Sequence, residues 1–320
     1  MALLKTEIDA DGSASGPRIA LMLGAGFSKW SCKLPLVSEL FDFKIRINNK
    51  AEEQRIIRLN KIFESWRAKN PTEHTEAFIR FSQELSRRFN LTNWYITRRL
   101  TDPFVVHGSR RYTWHINSYY PRGHKGIERA RSIIAALSGI SGAKNLTILT
   151  TNYDLIPEYA LGTRGFNYGF PGEQIGFTPY PYPRPIHLTG LIPIAKLHGS
   201  ISWTEDAKFP DSRCGLTGKC LIVPPVTEKQ APKSLKPQWS LAMNTLAKCR
   251  KLVVFGFSFN EYDTAIRKLF KAKLSPDADI IFIDIVDHRK RLAPIFGSRL
   301  VDFISSEKQD LETLLQSSLK

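Results

Sequence analysis

The sequence has no long hydrophobic run and no basic-then-apolar N-terminus. No apolar stretch approaches the roughly 20 residues needed to span a bilayer. Residues 1–17 contain acidic side chains and lack the pattern of a secretory signal. We therefore expect a protein without a membrane anchor that resides in the cytoplasm, with residues 1–17 as a mobile lead.

Cysteine is also scarce, and its spacing is uninformative. None of the four cysteines forms a C-x-x-C pair, which argues against a zinc site of the usual spacing. Cys214 and Cys220 could form a loop disulfide or half of a metal site. Reduced thiols are the favoured interpretation in a cytosolic protein, so we expect no bound metal.

Acidic residues are outnumbered, with 46 lysines and arginines against 30 aspartates and glutamates and a net charge of +16. Such a surface attracts polyanions. The basic residues are dispersed along the chain, and no recognisable nucleic-acid-binding module is present. Solubility and attraction to a phosphorylated small molecule are the simpler explanation, so nucleic acid is a possible but not a required partner.

Strand-like runs are separated by helical segments along most of the chain. Several are continuously apolar, as is typical of strands buried on both faces of a parallel sheet. The pattern predicts an α/β fold, a Rossmann-like doubly wound parallel sheet with a large helical insertion after the first strand. We assign residues 18–38 and 145–305 to the Rossmann-like domain, 39–144 to the insertion, and 306–320 to a C-terminal tail. The strand candidates are residues 18–23, 146–152, 192–200, 251–259, 279–285 and 299–305.

Small and polar residues follow the strand candidates. They include "GAGFS" at 24–28, "TTNYD" at 150–154, "KLHGS" at 196–200 and "GFS" at 256–258. In open α/β sheets, ligands bind at the carboxyl ends of the strands, near the point where the strand order reverses. We expect these segments to converge on one site there.

The segment "GAGFS" resembles a phosphate-binding turn. Its two glycines would let backbone amides approach a pyrophosphate, and Ser28 can donate a hydrogen bond or cap the next helix. An ordinary strand-to-loop turn is the alternative. The dehydrogenase fingerprint requires a third glycine where Lys29 stands and an acidic residue that closes a second strand. Asp42 is near that distance but lies in a helix-like segment, which disfavours a hydride-transfer enzyme.

The segments after the second and third of these strands offer groups for chemistry. The Asn152 amide can orient a water or a ribose hydroxyl, and the Asp154 carboxylate can bind an amide NH₂ group. A plain turn, where Asn and Asp are both common, is an equally good explanation for these two residues. His198 can serve as a general base, although a single histidine is more often structural.

The late strands offer groups for a ribose and its phosphate. Gly256 and Ser258 could contact a ribose phosphate, and Asp284, at the end of a late strand, could bind ribose hydroxyls. A helix cap or a turn is an equally good explanation for Asp284.

Together, G-A-G-x-S, T-T-N-Y-D, K-L-H-G-S and G-F-S resemble the motifs of the sirtuin superfamily. More narrowly, the set is similar to the sirtuin-like NAD-hydrolysing effectors of prokaryotic antiphage defence. The motifs cover the strands between residues 18 and 285 but not the helical insertion.

The resemblance implies a role for each matching position. Asn152 and His198 would be the catalytic pair, and Asp154 would contact the nicotinamide carboxamide. The phosphates of NAD would be wrapped by Gly24, Ala25, Gly26 and Ser28. The adenosine half would be held by Gly256, Ser258 and Asp284.

The chain also departs from the protein deacylases of this family. Those enzymes carry a zinc ribbon with two C-x-x-C pairs, which this chain lacks, and a glutamine where Thr151 stands. The stretch "KWSCKLPL" replaces their usual loop after the first motif. Acyl-lysine chemistry is therefore in doubt, whereas cleavage of NAD needs no peptide groove.

The resemblance thus implies an NAD⁺ glycohydrolase that uses NAD as its substrate and releases nicotinamide and ADP-ribose, with cyclisation as an open side reaction. Its implied role is NAD depletion in abortive infection. Control would come from a homo-oligomer or from a partner sensor, nuclease or helicase, and the insertion could be a lid or an assembly surface. The alternatives are a protein deacylase or ADP-ribosyltransferase, and a non-catalytic NAD or ADP-ribose-binding module of a nucleic-acid-associated complex.

Overall fold

The computed structural model describes residues 16–43, 50–83, 91–92, 94–96, 99–100, 124–162, 164–169, 190–204, 220–223, 233–261 and 263–319. The strands are β1 (Ile19–Leu23), β2 (Leu146–Thr150), β3 (Phe166–Asn167), β4 (Ile192–Lys196), β5 (Gly199–Thr204), β6 (Cys220–Ile222), β7 (Lys251–Phe255), β8 (Asp279–Asp284) and β9 (Leu300–Ser305). The helices are α1 (Ala25–Cys32), α2 (Lys50–Lys69), α3 (Thr75–Gln83), α4 (Lys125–Ser141), α5 (Ile156–Leu161), α6 (Lys236–Lys248), α7 (Thr264–Lys273), α8 (Arg289–Phe296) and α9 (Leu311–Ser318).

Seven strands form one parallel sheet in the order β3-β4-β2-β1-β7-β8-β9. The chain runs outward from β1 in both directions, so the strand order reverses between β1 and β7. A separate antiparallel pair is formed by β5 and β6. This topology confirms the predicted doubly wound α/β fold.

The continuous apolar runs are explained by burial on both faces of the sheet. Alternate residues of β1 point to opposite sides, so Leu21 belongs to one hydrophobic core and Met22 to the other, and both are fully buried. The first core also contains buried residues of α1, α4, α5 and α9. The second contains residues of α6, α7 and α8, which completes a three-layer arrangement.

The predicted strand over residues 192–200 is wrong in its second half. β4 ends at Lys196, a turn follows at Leu197 and His198, and β5 begins at Gly199. Gly199 has a φ of +78°, a backbone conformation that glycine adopts without a steric cost. The turn brings the His198 segment away from the sheet, toward the loops that follow the other strands.

The described part of the insertion packs through aromatic side chains. The rings of Phe41 and Phe63 stack 5.2 Å apart, and Phe78 meets both edge-on, at 5.0 and 4.9 Å. Within residues 39–144, α4 contacts α1, α5 and α9 beside the sheet. The boundaries assigned to the insertion remain predictions.

Some predictions concern residues outside the described ranges. Nearly all of residues 1–17, which are predicted to form a mobile lead, lie there, as does Cys214. The side chain of Cys220 is likewise outside the description, whereas Cys32 and Cys249 are buried free thiols. No helix among the described residues is long and apolar enough to cross a bilayer.

Candidate active site

The strand register brings the motif segments together. Leu23, the last residue of β1, pairs with Thr150 of β2 on one side and Phe255 of β7 on the other. Thr150 in turn pairs with Lys196, and Phe255 with Ile283. The carboxyl ends of these five strands are therefore level, and the residues that follow them are neighbours.

A cavity of about 440 Å³ opens above these strand ends. Nine of the ten predicted site residues line it: Ala25, Gly26, Ser28, Asn152, Asp154, His198, Gly256, Ser258 and Asp284. The tenth, Gly24, lies directly beneath, where its carbonyl oxygen accepts a hydrogen bond from Asn152. The structure thus brings the predicted residues into one place, at the point where strand order reverses.

The glycines of the first motif pack against the turn after β7. The Gly24 amide donates to Phe255 O at 3.0 Å, and the Gly26 amide donates to Gly256 O at 2.9 Å. A Cβ atom at Gly24 would lie 2.3 Å from Gly256 O. The amides predicted to face a pyrophosphate are therefore used between the two turns. Helix α1 begins at Ala25, which lines the cavity. The positive end of the helix dipole therefore lies at the cavity there.

The Asn152 side chain is fixed by hydrogen bonds to the first motif. Its Nδ2 donates to Gly24 O at 2.7 Å and to Ser28 Oγ at 2.8 Å. Because a backbone carbonyl only accepts, the atom that faces Gly24 must be the amide nitrogen. Both amide protons are thereby used, and Oδ1 is the acceptor that Asn152 can offer to a ligand.

Ser28 links the two polar residues of the second motif. Its hydroxyl donates to Asp154 Oδ2 at 2.6 Å while it accepts from Asn152. The other Asp154 oxygen accepts from the amide of Ile156 at 3.0 Å, at the start of α5. Ser28 and Asp154 are both almost fully buried. The Ser28 proton is committed to Asp154, so the side chain organises the site in this conformation instead of pointing at a phosphate.

His198 is 4% exposed and lines the same cavity as Asn152. Val223, just after β6, joins the segments that carry Asn152 and His198. Its amide donates to His198 O at 2.8 Å, and its carbonyl accepts from the Tyr153 hydroxyl. Burial raises the pKa of Tyr153 well above its ordinary value, which keeps the phenol protonated as a donor.

Asp284 ends β8 at the rim of the cavity. Burial raises the pKa of its carboxyl, and the hydrogen bond from the Ile285 amide, 2.7 Å long, opposes that shift in part. Across the rim, the carbonyl oxygen of Ser258 accepts from Arg291 Nη2 at 2.8 Å. The Asp284 carboxylate lines the cavity, where it could accept hydrogen bonds from a ligand such as a pair of ribose hydroxyls.

Residues that sequence reasoning missed close the cavity over the strand ends. Apolar and acidic side chains come from the segment after α1 and from the insertion, among them Leu36, Glu76, Ile96 and Leu100. Asp263 and His288 complete the far side. Among the described residues, the cavity lining includes the carboxylates of Glu76, Asp154, Asp263 and Asp284 but no lysine or arginine. No local sequence pattern marks these contributors, because they depend on how the insertion folds back.

A second cavity of about 790 Å³ adjoins the first, between α1, α4 and the chain after β9. Gly26, Gly256 and Asp284 line both cavities. The second cavity carries basic side chains, among them Lys29 and Arg129, and Trp30 forms part of its wall. Because they share these residues, the two cavities form one continuous space. Its acidic end is the first cavity, and its mixed-charge end is the second.

A buried ion pair lies beneath the second motif and was also missed. Lys196 Nζ and Glu158 Oε1 are 3.0 Å apart, and both side chains are fully buried. Lys196 is part of "KLHGS", but no local pattern pairs it with a residue 38 positions earlier.

No protein-family model matches the chain, and no curated protein matches it. Several solved structures are similar to the chain. A Sir2 homolog–NAD complex is 13% identical with a TM-score of 0.46, over 94% of this chain and 90% of that chain. A structure from a study of the mechanism and regulation of Sir2 enzymes is 12% identical with a TM-score of 0.45, over 95% and 94%. Sir2Tm bound to a propionylated peptide is 12% identical with a TM-score of 0.40, over 94% of each chain. These similarities are remote, and the interpretation of the site depends on its own residues.

Proposed function

We propose that this protein hydrolyses NAD⁺ at the bond between nicotinamide and ribose. The observation that carries the proposal is the meeting of Asn152 and His198 in one cavity at the point where the strand order reverses. Ligands of open α/β sheets bind at that point, and an amide beside a buried histidine is suited to orient and deprotonate a hydroxyl or a water.

The charge of the cavity supports a cationic ring at its inner end. The nicotinamide ring of NAD⁺ is positively charged, and the nearby carboxylates of Asp154, Glu76 and Asp263 would favour it. The diphosphate would lie at the N-terminus of α1, near Ala25, where the helix dipole favours negative charge. The adenosine half would pass Gly256, Ser258 and Asp284 toward the second cavity.

The proposed reaction breaks the bond between C1′ and the ring nitrogen, and the bonding electrons neutralise the nicotinamide. A strong general acid is unnecessary, because the leaving group departs as a neutral ring. Asn152 Oδ1 would orient the ribose hydroxyl or the attacking water, and His198 would accept the proton released as the water oxygen bonds to C1′. The products are nicotinamide, ADP-ribose and a proton.

The segment after α1 and the insertion supply an apolar part of the cavity wall. Leu36, Ile96 and Leu100 contribute apolar surface to the cavity wall, which would exclude bulk water from the reacting carbon. The motif resemblance supports a biological role as an NAD-depleting effector in antiphage defence. In that role, the activity would be released by a trigger through self-association or a partner protein.

The direct experiment is nicotinamide release from NAD⁺ measured by chromatography, with purified protein and with added lysate from phage-infected cells. We expect Asn152→Ala and His198→Ala each to lower turnover by roughly 100-fold or more, as the loss of general base catalysis implies. Asn145→Ala is the matched control, because Asn145 stands just before β2, at the opposite end of the strand that leads to Asn152. It should retain wild-type turnover.

Three results would contradict the proposal in different ways. Wild-type turnover in both site variants would reject the site. Saturable binding of NAD⁺ without nicotinamide release under triggering conditions would favour a binding module. Release of nicotinamide only in the presence of an acylated lysine peptide would favour a deacylase.

A further inference from the structure

The buried pair of Lys196 and Glu158 is connected to the catalytic segment. Lys196 Nζ donates a hydrogen bond to the backbone carbonyl oxygen of Asp154, in addition to its contact with Glu158. Tyr168 donates its hydroxyl proton to the same Glu158 oxygen at 3.1 Å. Gln238 accepts from the Lys196 amide at 2.7 Å and donates to Tyr168 O at 2.8 Å. Lys196 is thus held by contacts from the loop after β2 and from helices α5 and α6.

The position of Lys196 relates it to both proposed catalytic residues. It is the last residue of β4 and stands two positions before His198, opposite Thr150 in the register of the sheet. Its ammonium group reaches across to Asp154, two positions after Asn152. One side chain therefore connects the two strand ends that carry the proposed chemistry.

The remaining contacts of the Asn152 segment explain why its backbone needs this support. Asn152 and Asp154 reach Ser28 through their side chains, and those bonds are correctly aligned only if the backbone between them keeps its path. Lys196 stabilises this backbone through its hydrogen bond to the Asp154 carbonyl oxygen.

Fold stability alone is a poor explanation for the pair. Burying two charges costs several kcal/mol per ion in desolvation, and apolar side chains of similar volume often replace such a pair without loss. Burial raises the pKa of Glu158 despite the attraction of Lys196, and Glu158 Oε2 has no hydrogen-bond partner among the described residues. A different function for the ammonium group is therefore worth seeking.

We propose that Lys196 is a positioning residue, which fixes the Asp154 carbonyl and thereby aligns Asn152 with His198. The effect on turnover rests on the proposed function, whereas the effect on the backbone does not. Glu158 contacts the same ammonium group and helps to orient it. Loss of the Lys196 donor should therefore impair the chemical step more than binding.

The experiment compares two variants that differ only at position 196. Glu158→Gln removes one charge but leaves the Lys196 nitrogen as a donor to Asp154. Lys196→Met combined with Glu158→Gln removes the donor and leaves no unpaired charge. Both are assayed well below their own melting temperatures, for nicotinamide release and for hydrogen exchange in peptides that cover residues 150–158.

We expect Glu158→Gln to keep kcat within about threefold of wild type. The double variant should lose about 10- to 100-fold in kcat with little change in KM, the size of effect produced by small misplacements of catalytic groups. Its hydrogen exchange should increase over residues 151–156 and not across β1 and β7. A second variant, Lys196→Met with Glu158→Met, carries the same prediction and replaces the first if that one does not fold.

The inference is overturned if a folded double variant shows wild-type kcat and wild-type exchange, or if Glu158→Gln loses as much activity as the double variant. A loss of activity that simply follows the unfolded fraction would also overturn it. If the wild-type protein releases no nicotinamide, the proposed function fails, and the exchange measurement alone decides the role of Lys196.

Discussion

Asp284 illustrates how a single side chain in the site is held at a cost to the folded state. Burial raises the pKa of its carboxyl, which means that ionisation is less favourable in the folded chain than in the unfolded chain. Such a group supports stability below the unfolded pKa and ceases to do so as the pH rises through the folded pKa. A ligand that donates hydrogen bonds to the carboxylate would recover that cost on binding.

The Asp284→Asn variant separates the stability cost of the buried carboxylate from its contribution to ligand binding. Asparagine keeps an oxygen for the Ile285 amide but carries no charge, so the melting temperature should rise at pH 7. The difference from wild type should vanish as the pH falls below about 4, the ordinary pKa of Asp, because the carboxyl is then protonated in the folded and the unfolded chain alike. The affinity for NAD⁺ should fall by roughly 10-fold, as the loss of a hydrogen bond to a charged group implies.

Calorimetry at several pH values and a binding titration check this prediction. Asp279→Asn is the matched control, since Asp279 is an exposed residue at the other end of β8. It should change neither quantity. Unchanged NAD⁺ affinity in Asp284→Asn would contradict the assignment of Asp284 to the adenosine half.

At the scale of the elements, glycine residues allow the turns after β1 and β7 to pack closely together. Gly256 has a φ of +62°, and a Cβ atom there would lie 2.2 Å from the amide nitrogen of Phe27. Gly24 meets the same turn from the other side. Only backbones without side chains can approach so closely, and this approach brings the two strand ends together beneath the cavity.

Gly24→Ala should therefore destabilise the protein by about 1–3 kcal/mol, the typical cost of overpacking. The control is Gly139→Ala, since Gly139 is an exposed residue of α4 with open space around its Cα. That change should stabilise the protein by about 0.5–1 kcal/mol, because alanine is the better helix former. Urea denaturation measures both, and equal effects of the two substitutions would refute the packing role.

The sequence predicts the elements whose signals are local. The buried runs of β1, β2, β7 and β8 and the small residues after them were sufficient to predict the sheet and the convergence of its strand ends. The break of β4 at Lys196 was not predictable in this way, because the apolar run continues toward His198 and only the turn before Gly199 divides it. Strand periodicity does not indicate where such a turn occurs.

Contacts between distant segments account for the rest of the site. The pairing of Lys196 with Glu158 and the hydrogen bond from Ser28 to Asp154 link residues 38 and 126 positions apart. Residue types alone suggested ligand contacts for Ser28. The structure shows that its proton is used within the protein, a result that needs three-dimensional geometry.

At the scale of the whole molecule, the surface and the cavity differ in charge. The chain carries a net charge of +16, yet among the described residues no lysine or arginine lines the first cavity, where carboxylates are clustered. The basic excess can attract an anionic ligand or partner over a distance. In the proposed function, selection of NAD⁺ would depend on the N-terminus of α1, the carboxylates and the apolar side chains from the insertion.

Because strand ends, α1 and the insertion all contribute to one cavity, a ligand there should stabilise the whole protein. NAD⁺ at 100 times its dissociation constant would add about 2.7 kcal/mol to the free energy of unfolding. For a chain of 320 residues, this corresponds to a rise in melting temperature of roughly 4 °C.

Differential scanning calorimetry with ADP-ribose avoids turnover of the ligand and should give a similar rise. Nicotinamide alone should give a much smaller one, because it would occupy only the acidic end of the cavity. Asp284→Asn should reduce the rise with ADP-ribose and leave any effect of nicotinamide unchanged, since Asp284 is assigned to the adenosine half. A melting temperature that does not respond to millimolar ADP-ribose or NAD⁺ would contradict the assignment of this cavity to the dinucleotide.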